Sequence, residues 1–131
     1  MSFRLRLHLH VDPRHSLGPG KIALLEAIGA EGSISAAARA QGMAYRHAWE
    51  LVDDLNQCFR SAVVATGAGG ARGGGAQLTP LGKQLIARFR AMEAAANAAI
   101  ASDLAALGAE LATASAKRAG ATKRPSRRAK R

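Results

Sequence analysis

A chain of 131 residues, 48% hydrophobic but only 4% aromatic, allows one domain plus appendages, with a core of Ala, Leu, Ile and Val that suits close-packed helices better than a β-sandwich. The net charge of +10 is unevenly placed: residues 117–131 hold eight basic and no acidic side chains, and the first 116 hold eleven basic against nine acidic, so the basic character belongs to the tail and points to a polyanion partner. The single cysteine, Cys58, excludes an internal disulfide and a cysteine-rich zinc site and fits a reducing, cytoplasmic setting, and no uncharged apolar run approaches the ~20 residues that span a bilayer.

Phe3, Leu5, Leu7 and Leu9 alternate with Arg4, Arg6, His8 and His10, which predicts a strand with one buried face. The segment is too short and too charged for a signal peptide. His8 and His10, with His15, could form part of a metal site, but without a matching Cys or carboxylate cluster they read as wet-face residues, and no metal is expected. Ile22, Leu24, Leu25 and Ile28 predict a first helix over 21–29, bracketed by Gly29 and Gly32. Ser33 is expected to cap a short second helix over 34–40, whose Ala36, Ala37 and Ala38 allow close packing. Gly42 supplies a left-handed turn. A third helix is expected over 44–59, with Tyr45, Ala48, Trp49, Val52, Leu55 and Phe59 as its apolar stripe and Cys58 as a buried thiol. The opposite face carries Arg46, His47, Glu50, Asp53, Asp54 and Gln57. Residues 62–66 and 76–78 predict two strands around a loop, Gly67 to Gly75, with six glycines in nine residues. Thr79 and Pro80 open a long helix predicted to reach Leu111. Its apolar stripe runs from Leu81 through Ile100 to Leu111, longer than a three-helix core covers, so the surplus is expected to pack on a second copy. Residues 109–131 form a separate basic tail, expected to be disordered beyond Ala116.

The predicted fold class is mainly α with a small β wing: a winged helix-turn-helix over 1–108 with a long C-terminal dimerisation helix. That order suits double-stranded DNA, with the second helix crossing the backbone and the third in the major groove. Arg46 is the candidate base reader, because its fork matches the two acceptors of guanine. His47 is assigned to a base or phosphate, and Tyr45 to the core with its hydroxyl on phosphate. Ser33 and Ser35 stand at the start of the second helix, where free N–H groups suit a phosphate as well as a cap. In the wing, Arg72 is the expected anchor, with Gly73 and Gly74 letting the backbone approach phosphate. Glu50, Asp53 and Asp54 would repel DNA, so they are expected where the helix leaves the groove or against another subunit. The glycine-rich loop fits neither phosphate-loop pattern: Ala76 follows Gly75 where a Walker loop needs Lys, and Arg72 occupies a glycine position of the dinucleotide fingerprint. No catalytic triad, paired-carboxylate or zinc-protease pattern is present, so no enzyme and no cofactor are predicted.

The stretches Gly32-Ser33-Ile34-Ser35 with Ala37-Ala38, Gly42-Met43-Ala44-Tyr45 with Ala48-Trp49, Asn56, the glycine-rich loop running into Leu78-Thr79, and Gly82 with Leu85-Ile86 resemble the N-terminal domain of the ModE family, the bacterial molybdate-responsive transcriptional regulators. The resemblance covers about residues 3–105. The Ala-Tyr-x-x-Ala-Trp segment with the glycine-rich loop is its specific part, since LysR-type regulators share the helix-turn-helix. It implies a homodimer formed through the first strand and the last helix, on a palindromic operator. Full-length family members add C-terminal molybdate-binding domains where this chain has its basic tail, so molybdate binding is not predicted. The competing expectations are an architectural nucleoid-type protein driven by the tail, and a small-oxoanion sensor.

Overall fold

The computed structural model describes residues 2–67 and 75–112. Arg6–Ala95 forms one compact unit, and the described residues outside it form a second. Among the described residues there are four helices and two two-stranded antiparallel sheets.

In the first unit, β1 (Leu9–His10) pairs with β2 (Ser16–Leu17) around a turn. Asp12 closes that turn by accepting from the backbone N–H groups of Arg14 and His15, each at 2.8 Å. The long N-terminal strand expected over 3–10 is therefore shortened to its last two residues. Its partner is only two residues long, because Pro19, which lacks an N–H, already begins the next helix. The expected alternation survives in exposure: Leu5, Leu7 and Leu9 are half-buried between exposed Arg and His, whereas Phe3 is exposed.

Helix α1 (Pro19–Glu31) is the central helix, with Ile22, Leu24, Leu25, Ala27 and Ile28 all buried. Apolar residues on most of its circumference mark a helix surrounded by other elements. It stops at Gly32, whose φ of 80° is a left-handed cap, with its N–H donating to the Ile28 carbonyl at 2.9 Å. Helix α2 (Ile34–Ala40) follows at once, and Ser33 Oγ caps it by accepting from the Ala36 N–H at 3.0 Å. Gly42, at φ 65°, turns the chain into α3 (Tyr45–Cys58). Small side chains on α2 let it lie close to α1 and α3, and Ala37, Ala38 and Ala48 are buried there.

Strands β3 (Val64–Thr66) and β4 (Ala76–Leu78) form a hairpin. Asn56 ties the end of α3 to this hairpin: its Oδ1 accepts from the N–H groups of Val63 (2.7 Å) and Val64 (3.2 Å), and its Nδ2 donates to the Val64 carbonyl. The other edge is tied to the α1–α2 corner. Ala76 N–H donates to the Gly32 carbonyl at 2.9 Å, and Gly75 bridges Ser33.

Helix α4 (Pro80–Gly108) starts on Thr79, whose hydroxyl donates to the Ala62 carbonyl at 2.7 Å and accepts from the Gly82 N–H. Gly82 presses so closely on the Val63 carbonyl that a Cβ there would overlap it. Phe89 is fully buried and completes the core, with Leu81, Leu85 and Ile86 packed against it. Arg90 reaches back to α1 with two bonds to the Glu26 carboxylate, at 2.7 and 3.0 Å. In the second unit, Ile100 and Leu104 are half-buried and Leu107 is exposed on α4, which ends at Gly108, three residues short of the expected Leu111. No helix among the described residues is long and apolar enough to cross a membrane.

Candidate nucleic-acid interface

The first turn of α3 stands free of the core. Ala48, Val52 and Leu55 are its buried residues, whereas Tyr45 is 56% and Trp49 38% exposed. Both aromatics were expected in the buried stripe. Trp49 directly follows Ala48, so it lies about 100° around the helix from it and falls at the stripe's margin. The two rings meet edge to face with centroids 6.3 Å apart. Arg46 and His47 point outward beside them. Arg46 makes no hydrogen bond or ion pair among the described residues, and His47 has only a 3.8 Å approach to exposed Glu50, which contributes little in water.

Ser33 and Ser35, paired in the sequence argument, separate in the structure. Ser33 is half-buried and its Oγ holds the α2 cap. Ser35 is exposed and accepts a 2.9 Å hydrogen bond from Arg39, one turn further along α2. Arg39 is a cation that sequence reasoning passed over, although its i, i+4 spacing from Ser35 marks the pair. Ser35, Tyr45, Trp49, Thr66 and the two glycines flanking the loop, Gly67 and Gly75, line one cleft of about 240 Å³. Arg72, Gly73 and Gly74 lie outside the described residues.

The three acids of α3 divide. Asp54, expected at a groove exit or another subunit, instead faces its own chain. Its carboxylate accepts from Lys21 Nζ at 2.7 Å and lies 3.3 Å from His15 Nε2, while His15 Nδ1 sits 3.0 Å from Asp12. Lys21 also donates to the Ser16 carbonyl. This cluster fastens the β1–β2 turn and the start of α1 to the middle of α3, and it uses His15, the residue weighed as a third metal ligand. No group of three or more metal-ligating side chains occurs among the described residues. Asp53 remains on the outer face, bonded to Gln57, about 10 Å along the helix axis from Arg46. Near the end of α3, Cys58 is half-buried rather than buried. Desolvation, aided by the Asp54 charge, pushes its thiol above the usual value of 9.0, which keeps it neutral.

Arg46, His47, Ser35 and Arg39 are thus exposed on two helices joined by a tight turn, beside a hairpin. This chain is similar to the ModE and Mop proteins. It is 50% identical over 78 residues to the molybdenum-pterin-binding protein MopB of Rhodobacter capsulatus, covering 60% of this chain and 29% of that protein. It is 41% identical over 91 residues to the molybdenum transport protein ModE of Azotobacter vinelandii, covering 70% and 34%. It is 37% identical over 86 residues to the DNA-binding transcriptional dual regulator ModE of Escherichia coli, covering 66% and 30%. The matched stretch is thus about a third of the length of these relatives. No family model matches the chain. The ModE and Mop relatives carry names of binding, transport and regulation, and none of an enzyme.

Proposed function

We propose that this chain is a sequence-specific, double-stranded DNA-binding transcriptional regulator of the ModE type, built as a winged helix-turn-helix. In this reading α2 and α3 are the helix-turn-helix, α3 enters the major groove, and the β3–β4 hairpin with its glycine-rich loop rests on the backbone as the wing. The observation that carries it is the solvent-facing first turn of α3, where Arg46 is unpaired among the described residues, while Asp54, about two turns further along the helix, is taken up by Lys21 and His15. A free guanidinium at the start of such a helix matches the acceptor pair of guanine. The similarity over 86 residues to the DNA-binding transcriptional dual regulator ModE supports the same assignment.

The active form in this proposal is a homodimer joined through the N-terminal segment and α4, with residues 1–108 as the DNA-binding and dimerisation domain and 109–131 as a basic tail. Ser35, Tyr45, Arg46 and His47 contact DNA from the helices, and Arg72, Gly73 and Gly74 from the wing. Ser33 acts through the cap it holds. Selection of bound duplexes from a random pool tests this reading. An inverted repeat with half-sites about 34 Å apart is the expected product, and a pool that stays unenriched refutes it.

The eight cations of residues 117–131 favour one second reading, an architectural protein held by its tail. The same selection separates the two, because tail-driven binding enriches no sequence. The selection is run with and without molybdate. A regulator whose oxoanion sensing lies outside these 131 residues gives the same enriched sequence in both arms.

A further inference from the structure

We propose that the cleft between α2, α3 and the β3–β4 hairpin is a seat for one deoxyribose-phosphate step of the DNA backbone, with Trp49 and Thr66 as contact residues. The proposal rests on the duplex-binding reading above and adds a site to it. In a duplex, one sugar-phosphate strand separates the major groove from the neighbouring minor groove. A protein with α3 in the first and the hairpin beside the second must straddle that strand. The hollow lying between those two elements is the cleft lined by Ser35, Tyr45, Trp49, Thr66, Gly67 and Gly75.

Its size and chemistry fit such an occupant. At about 240 Å³ it is far larger than a single base methyl needs and close to the scale of a nucleotide's sugar and phosphate. The walls combine two aromatic rings with three hydroxyls and carry no carboxylate. The apolar C–H faces of deoxyribose pack on rings, and hydroxyls donate to phosphate oxygens. The hydroxyls of Tyr45 and Thr66 make no hydrogen bond among the described residues, so both are available as donors, and Ser35 Oγ accepts from Arg39 while keeping its own hydrogen. The chain has five aromatic residues among 131, and two of them stand here half in water rather than in the core. Large aromatics left at a surface in this way gain from contact with a partner.

The sugar and phosphate carry no sequence information, so this seat strengthens binding without choosing a sequence. The test replaces single phosphates of a selected half-site with neutral methylphosphonates, using the full chain. Wild-type protein is expected to lose affinity at one phosphate on the strand between the two grooves. Tyr45→Phe and Thr66→Val, which keep shape and remove only a hydroxyl, are each expected to bind the unmodified duplex about tenfold more weakly, the value of a hydrogen bond to a charged acceptor. Combined, they should no longer respond to that methylphosphonate. Trp49→Ala should weaken selected and unrelated duplexes by the same factor and leave the salt slope unchanged, since it removes no cation.

Two results overturn the proposal while duplex binding itself stands: undiminished sensitivity at that phosphate in the double variant, or a changed base preference in Trp49→Ala, which would make the cleft a base reader. Wild-type protein that enriches no duplex removes the reading on which the seat depends. Thermal unfolding of each variant separates lost contact from lost fold.

Discussion

Gly82 and Arg46 illustrate opposite constraints on a single position. Gly82 abuts the Val63 backbone carbonyl at the start of α4, and a backbone atom cannot swing away as a side-chain tip can. Gly82→Ala is expected to lower stability by ~1–3 kcal/mol, the usual cost of overpacking, although alanine is the better helix former. Urea denaturation measures it, and a variant as stable as wild type would show that the turn relaxes freely. Arg46 is exposed and unpaired among the described residues, so Arg46→Ala should leave stability unchanged. It should cost ~1–3 kcal/mol in operator affinity and relax preference at one base pair, read by repeating the selection with the variant. Residue identity was legible in the sequence where chemistry is local. The Ser33 cap and the Thr79-Pro80 helix start follow from side chains bonding within a few residues. Trp49 was misplaced because spacing by three and four cannot fix which flank of a stripe meets the core. The Asp54 partners, 33 and 39 residues away, leave no periodic trace at all.

At the scale of elements, α3 is held by two polar ties of different kind. The cluster of Asp12, His15, Lys21 and Asp54 fixes its middle to the N-terminal turn, and Asn56 fixes its end to β3. Asn56→Ala leaves the N–H groups of Val63 and Val64 without that acceptor. A loss of ~1–3 kcal/mol is expected, with amide exchange at Val63 and Val64 accelerating more than at Leu24 or Leu25. Equal acceleration at all four would mean that the hairpin does not open separately. The helices were readable to within three residues, the C-terminal end of α4 being the furthest off, because their apolar stripes and stop signals are in the sequence. The N-terminal strand was overextended because alternation shows that a segment has two faces but not that a partner exists to pair with it.

For the whole molecule, charge governs both acid stability and salt response. Arg90 holds the Glu26 carboxyl below its usual value of 4.5, chiefly through their hydrogen bonds, and His15 does the same for Asp12, usually near 3.8. A carboxyl depressed on folding stabilises the fold above its unfolded value and loses that contribution as pH falls through the folded one. Stability should therefore begin to decline below about pH 4.5, and Glu26→Gln should flatten the upper part of that decline. The pair is about 40% exposed, so the change is expected to stay under ~1 kcal/mol. An unaltered pH profile in the variant would show that Arg90 gives Glu26 no net help. Removing residues 117–131 should lower the salt slope of DNA binding by ~0.9 for each phosphate the tail neutralises while leaving the preferred sequence intact. A lost preference would move recognition from the folded unit to the tail.

Because Gly32 accepts from Ala76 and Ser33 bridges Gly75, the root of the hairpin is welded to the same corner from which α2 departs. The spacing between hairpin root and helix pair is thereby set during folding rather than on encounter. In the proposed complex a duplex would meet a gap whose two sides are already tied together, so little ordering entropy would be lost there and less of the contact energy spent on rearrangement.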